Sequence, residues 1–227
     1  MRKGTLPVVM MCVVVMLTSC QRSTQKRSAD NDLTIPEPSI SLAASVASTL
    51  AHDRVPASIV LYGTCDGGNI KDDIQARQNS IGQGNPTELL RTLSKEYPRL
   101  GVTKDSSGIW RIVDSRADQR LVDTKVGDRT ISTPDANSAI AELFATDEVR
   151  GALTKLNLTQ AIAYGGLEVP NVHSKYYPQV KLRDATVRDW LDAIGKAYPG
   201  VWIFRECRPD NAPGRFKIDL MNFAPKR

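Results

Sequence analysis

One pattern is written twice in this chain, and it limits what the chain can fold into. From Val180 to Phe204 the residues read as a strand, a capped helix, a stop and a second strand. Thr186 and Asp189 have capping-box spacing, and Trp190, Leu191 and Ile194 form an apolar stripe at helical intervals. Tyr198-Pro199 stops the helix, and Val201–Phe204 is apolar enough to be a buried strand. The earlier copy starts with Asn85 as cap, Pro86 at the first helical position and Glu88 in the reciprocal place. Leu89, Leu90 and Leu93 replace the second stripe, and Tyr97-Pro98 replaces the second stop. Each copy is followed by a hairpin. Leu100–Thr103 and Ile109–Val113 flank the turn Lys104–Gly108, while Val201–Phe204 and Phe216–Leu220 flank the longer loop Arg208–Gly214. Agreement of caps, stripe, stop and hairpin in the same order predicts an internal duplication.

The segments before each copy extend the match. Ile40, Leu42, Val46 and Leu50 recur at helical spacing with Ser39 available as a cap, and Ala57–Tyr62 reads as a buried strand ended by Gly63. Asp66–Asn69 is a turn cluster, Asp72-Asp73 reads as a solvated turn, and the repeat asks for a second strand within the ambiguous stretch Ile70–Ile81. In the later half, Asp135 or Asn137 caps a helix carrying Ala139, Ile140, Leu143 and Phe144, which Val149, Leu153 and Leu156 continue. Thr159–Gly165 then matches Ser58–Gly63. The expected fold class is α+β: two tandem repeats, each with about two helices packed on a small mixed sheet. The boundaries are 40–114 for the first repeat, 115–134 for a linker or an extra strand pair around Val122 and Val126, and 135–227 for the second. Trp110, Trp190 and Trp202 fall in repeat elements and are expected in the core.

The first residues carry an address. Met1-Arg2-Lys3 precedes the apolar run Leu6–Leu17, which is too short to span a bilayer and reads as a signal-peptide core. It ends in Leu17-Thr18-Ser19-Cys20, which resembles the lipobox of bacterial lipoproteins. That resemblance implies a signal peptide at 1–19 and a lipid on the Cys20 thiol. Two or three acyl chains would anchor the chain firmly, each buried methylene contributing about 0.8 kcal/mol. Gln21, rather than Asp, follows the cysteine, which by the lipoprotein sorting rule implies the outer membrane facing the periplasm in a Gram-negative cell. Residues 20–39 are polar with Pro36 and Pro38 and read as a flexible tether. Loss of Arg2 and Lys3 would lower the formal charge from +5 to +3, a mild excess that calls for no nucleic-acid partner.

Candidate chemistry is sparse. Cys65 and Cys207 are the two thiols left beside the anchor, and in an oxidising compartment an even pair reads as a disulfide. The alternatives are two separate buried thiols or a cysteine hydrolase. Gly63-Thr64-Cys65-Asp66-Gly67 fits Gly-x-nucleophile-x-Gly after a strand, with His173 as the candidate base. Against the hydrolase, Gly68-Asn69 is a poor helix start, and the later half keeps Tyr164-Gly165 without a cysteine. His52 reads as a polar residue at a helix C-terminus, and no close ligand spacing points to a metal or cofactor. Tyr176-Tyr177-Pro178 is the candidate contact loop, because tyrosine is enriched at interfaces.

The stretch Leu182-Arg-Asp-Ala-Thr-Val-Arg-Asp-Trp-Leu-Asp-Ala-Ile194 resembles the short N-terminal domain of secretins and TonB-dependent receptors. The resemblance covers one such stretch, and reaches the first repeat through the internal match. It implies a small α+β module used for protein–protein contact in the periplasm, and it brings no catalytic residues. The secretin pore domain is expected to be missing, since no long β-rich tail follows Arg227. Together these readings predict a membrane-anchored scaffold or protein-binding lipoprotein with an envelope protein partner, accessory to a secretion or pilus machine. A small-ligand or glycan-binding lipoprotein is the further alternative.

Overall fold

The computed structural model describes residues 41–74, 85–161 and 177–223. The signal segment, Cys20 and the tether therefore lie outside the described residues, as do Tyr164-Gly165, His173 and Tyr176. In the first half the elements are α1 (Leu42–His52), β1 (Ala57–Asp66), β2 (Asn69–Asp72), α2 (Pro86–Glu96), β3 (Leu100–Lys104) and β4 (Trp110–Asp114). Then come β5 (Lys125–Val126), β6 (Arg129–Ser132), α3 (Ala136–Phe144), α4 (Asp147–Leu156) and β7 (Leu158–Gln160). The last are β8 (Gln179–Leu182), β9 (Ala185–Thr186), α5 (Val187–Ala197), β10 (Gly200–Cys207) and β11 (Gly214–Asn222).

The chain is mixed α+β, but the two halves do not build separate sheets. Their strands join in one seven-stranded sheet of order β3-β4-β1-β10-β11-β7, with β2 paired to the outer end of β1. The joint is β1 against β10, parallel, with Ser58–Tyr62 opposite Trp202–Glu206. On one side, β4 runs parallel to β1 and β3 antiparallel to β4. On the other, β11 runs antiparallel to β10 and β7 parallel to β11. The triplets β3-β4-β1 and β10-β11-β7 therefore follow the same order across the sheet with every strand direction reversed.

Strand alternation sends neighbouring residues to opposite faces, and each face has its own core. Ile59, Leu61, Ile112, Val201 and Ile203 meet Leu42, Val46 and Leu50 of α1 and Leu89, Leu90 and Leu93 of α2. Val60, Trp202, Phe204 and Phe216 meet α3, α4 and the Trp190, Leu191 and Ile194 stripe of α5. Every residue of β10 is buried, as suits a strand covered on both faces. Trp190 and Trp202 are fully buried, and Trp110 is half-buried beneath Lys104.

The helix starts follow from short polar side chains. Asn85 caps α2 by accepting the Thr87 N–H at 2.9 Å, while Glu88 turns toward Arg91. At α5 the reciprocal box closes: Thr186 accepts from Asp189 N–H, and Asp189 accepts from Thr186 N–H at 2.8 Å. Ser41, rather than Ser39, caps α1.

Three expectations are corrected. The helix expected to run on through Val149 breaks at Ala145, because Thr146 caps a new helix by accepting the Val149 N–H. Of the linker and the extra strand pair offered for 115–134, the strands form, though at Val126 and Ile131 rather than Val122: β5 pairs with β9 and β6 with β8, and Leu121, Val122, Val126 and Ile131 are buried in the α5-side core. Gly63 does not end β1. The strand continues to Asp66 by changing partner from β10 to β2, and a Cβ on Gly63 would lie 2.3 Å from the Lys71 carbonyl oxygen.

A buried ion pair ties α5 to the far side of the joint. Arg111 of β4 donates to both carboxylate oxygens of Asp192, at 2.8 and 2.6 Å, and Trp202 Nε1 donates to Asp192 Oδ1 at 2.8 Å. Arg111 also donates to Ser58 Oγ at 3.0 Å and Asp105 Oδ2 at 2.5 Å. Burial works against the guanidinium charge, yet the bonds it donates to Asp192 and Asp105 raise its pKa. Asp192→Ala is expected to cost about 3 kcal/mol, since it leaves the buried Trp202 Nε1 without its acceptor and Arg111 with Asp105 as its remaining carboxylate. Urea unfolding followed by tryptophan fluorescence measures this, and Arg111→Met with Asp192→Leu together should cost less than Asp192→Ala alone.

Candidate functional site

Charged and sulfur side chains gather where β1 and β10 end together. Cys65 and Cys207 form a disulfide there, with Cα atoms 5.4 Å apart. The bond lies just beyond the last ladder pair, Tyr62 with Glu206, where β1 leaves β10 to pair with β2. It therefore locks the end of the joint between the two halves. Gly67, with φ 55°, supplies the left-handed turn into β2. The chain thus turns into a strand after Cys65, not into the helix that a nucleophile elbow requires.

On the α1 side of the sheet, Arg205 forms the floor of an open cleft of about 440 Å³. Its Nε donates to Asp72 Oδ1 at 2.7 Å, and its Nη1 donates to Asp219 Oδ2 at 2.6 Å. Ser41, the cap of α1, donates to the other Asp72 oxygen, and Lys217 pairs with the other Asp219 oxygen at 3.0 Å. Asp72 is therefore a buried partner, not part of a solvated turn. Asp73 is held as well: Thr64 donates to one oxygen and Arg116 to the other at 2.9 Å. Burial pushes the Asp73 carboxyl up, but the Thr64 and Arg116 bonds outweigh it and hold the pKa below the ordinary value.

On the α5 side, Glu206 is fully buried. Its Oε1 accepts the backbone N–H of Asp118, and its Oε2 has no hydrogen-bond partner. Asp118 in turn accepts from Arg120 Nε at 2.9 Å and from Arg208 Nη2 at 3.0 Å. These bonds, Arg120 first, lower the Asp118 pKa against the effect of burial. In the hairpin turn, burial raises the Asp105 carboxyl, but bonds from Ser107, the Ile109 N–H and Arg111 hold it down at about 2.

The other candidates scatter. Tyr177 is 44% exposed and Pro178 is exposed, while Tyr176 lies outside the described residues. His52 is exposed at the end of α1, and His173 lies outside the described residues. Among the described residues no group of three or more His, Cys, Asp or Glu is placed to hold a metal ion. Arg111, Asp192, Arg205 and Glu206 were not singled out by the sequence pattern. The available signal was the charged pair Arg205-Glu206 inside the run Val201–Cys207, which the structure makes one buried strand.

The charges here are mostly matched in pairs, and the Cys65 sulfur is bonded rather than free. Reduction, or Cys65→Ser with Cys207→Ser, is expected to cost up to about 5 kcal/mol in the chain-entropy description of so long a loop. Urea unfolding with and without a phosphine reductant measures it. Compared with family models, curated proteins and solved structures, the chain matches none.

Proposed function

We propose that this protein is a membrane-anchored exported lipoprotein, held by lipid on Cys20, that acts as a protein-binding scaffold built from two copies of one α+β module. The observation carrying the reading is the Cys65–Cys207 disulfide across the joint, since such bonds persist in oxidising compartments outside the cytosol. The signal-like start and Leu17-Thr18-Ser19-Cys20 point to the same address, the outer membrane facing the periplasm.

The duplication draws support from topology. A half-turn about an axis lying in the sheet, across the strands, with a shift of three strands along it, keeps strand order and reverses strand direction. It also exchanges the faces. The triplets β3-β4-β1 and β10-β11-β7 have that relation, and α2 and α5 lie on opposite faces.

The contact surface in this reading is the β3 edge, with the Tyr177 loop as a second candidate. Among the described residues β3 pairs with β4 alone. The bonds from Ser115 N–H to Arg99 and from Asp105 N–H to Ile109 set the alternation of this hairpin. By that alternation Gly101 and Thr103 bond to β4, while the amides of Val102 and Lys104 face outward. An extended segment of an envelope protein, accessory to a secretion or pilus machine, can add there as a further strand.

Cys20→Ser is expected to move the protein from the membrane to the soluble periplasmic fraction; unchanged membrane binding would remove the lipoprotein reading. Lys104→Pro blocks an outward amide without touching the β4 ladder. It is expected to abolish a photo-cross-link from residue 102 to its envelope partner while leaving the unfolding midpoint nearly unchanged. A reactive Cys65 thiol in the exported protein, with hydrolytic activity lost in Cys65→Ser, would favour the hydrolase instead.

A further inference from the structure

Glu206 is the one fully buried carboxylate among the described residues with an oxygen that nothing satisfies. A buried polar atom without a partner costs about 1–3 kcal/mol, so its persistence needs a reason. Its ladder neighbours are Tyr62 on β1 and Phe216 on β11. The charged groups that face it are Arg208, just past β10, and Asp118 and Arg120 on the turn after β4. Arg116 stands over the Tyr62 ring, 5.0 Å from its centroid.

None of these arginines bonds to Glu206. Arg208 donates instead to Asp118 Oδ2 and to the carbonyl of Leu156, each at 3.0 Å. Leu156 is the last residue of α4, so Arg208 links the end of that helix to the turn that carries Asp118. The strand around Glu206 is pinned on both sides. The flanking residues are Arg205, fixed by two carboxylates, and Cys207, fixed by the disulfide. Arg208 sits at the rim, about a third exposed.

We propose that Arg208 is a two-position tie operated by a proton on Glu206. With Glu206 neutral, Arg208 holds the Leu156 carbonyl and Asp118 together. With Glu206 ionised and its proton released to solvent, Arg208 turns onto the unsatisfied Oε2 and lets go of the α4 end. Leu121 and Val122 keep the rest of the turn in the core, so the change stays local.

The charge balance agrees with this geometry. Burial pushes the Glu206 carboxyl up to about 7, against the Asp118 N–H and Arg208, which favour the anion. A carboxyl raised above its unfolded value favours the folded state most when protonated. That contribution is fully present below about 4.5 and is lost as the pH rises through about 7.

Amide exchange tests the tie on the mature domain. Protection of the last turn of α4 is compared between the wild type and Glu206→Gln from roughly pH 5 to 9, so that intrinsic exchange cancels. The wild type is expected to lose about tenfold in protection relative to the Gln variant as the pH crosses 7, the effect of one charged hydrogen bond. Arg208→Ala is expected to expose the turn at every pH. A 13C-carboxyl titration of Glu206 gives an independent readout, with a midpoint near 7 expected. Equal protection in wild type and Glu206→Gln throughout, or a pH response that survives Arg208→Ala, would overturn the proposal.

Discussion

The parallel pairing of β1 with β10 is the constraint on which the rest of this structure depends. It brings residues 58–62 against 202–206, so the two halves of the chain share one sheet at its centre. A parallel pair at the middle of a sheet has to be covered on both faces. That single requirement accounts for much of the arrangement. Helices α1 and α2 cover one face, α3, α4 and α5 cover the other, and all eight residues of β10 are withdrawn from solvent.

Two devices hold the joint beyond its backbone bonds, and they act at different places. The disulfide closes the end of the pair, where β1 departs toward β2. The Arg111–Asp192 pair crosses it from the side, linking β4 to α5 with Trp202 as a further donor. The pair is buried, so its contribution lies in fixing how α5 seats on the sheet more than in raw stability. Alternation along β10 makes the charge distribution unlike on the two faces. Arg205 with its two carboxylates lies on the α1 side, and the neighbouring Glu206 points to the α5 side.

Local grammar was legible in the sequence. The helix caps at Asn85 and Thr186, the apolar stripes and the Tyr-Pro stops all mark α2 and α5, because capping and helical periodicity are settled within a few residues. The cysteine pair was legible from compartment logic. What the sequence left open was long-range: that β1 seeks β10, and that the apparent linker fills the core. Val122 and Val126 hint at a strand pair, but which sheet face receives them and Leu121 is settled only by distant residues. The polar residues of the site were hidden for a related reason. Asp72 and Asp73 resemble a solvated turn until Arg205 and Arg116, far along the chain or across the hairpin, are brought to them.

The central pairing also sets an order of events. A ribosome or a translocon delivers the chain from its N-terminus, and β1 is among the first strands to emerge. Its partner β10 begins at Gly200, close to the end of the 227 residues. Until then β1 is an apolar strand, Ser-Ile-Val-Leu, with β4 as its parallel neighbour among the described residues. The first half therefore has to wait with one side of its sheet and one face uncovered. Contacts this distant in sequence close slowly, and an uncovered strand edge is a ready site for wrong pairing. For this chain, completing the sheet is in effect a single late event that begins when Gly200 and the residues after it arrive.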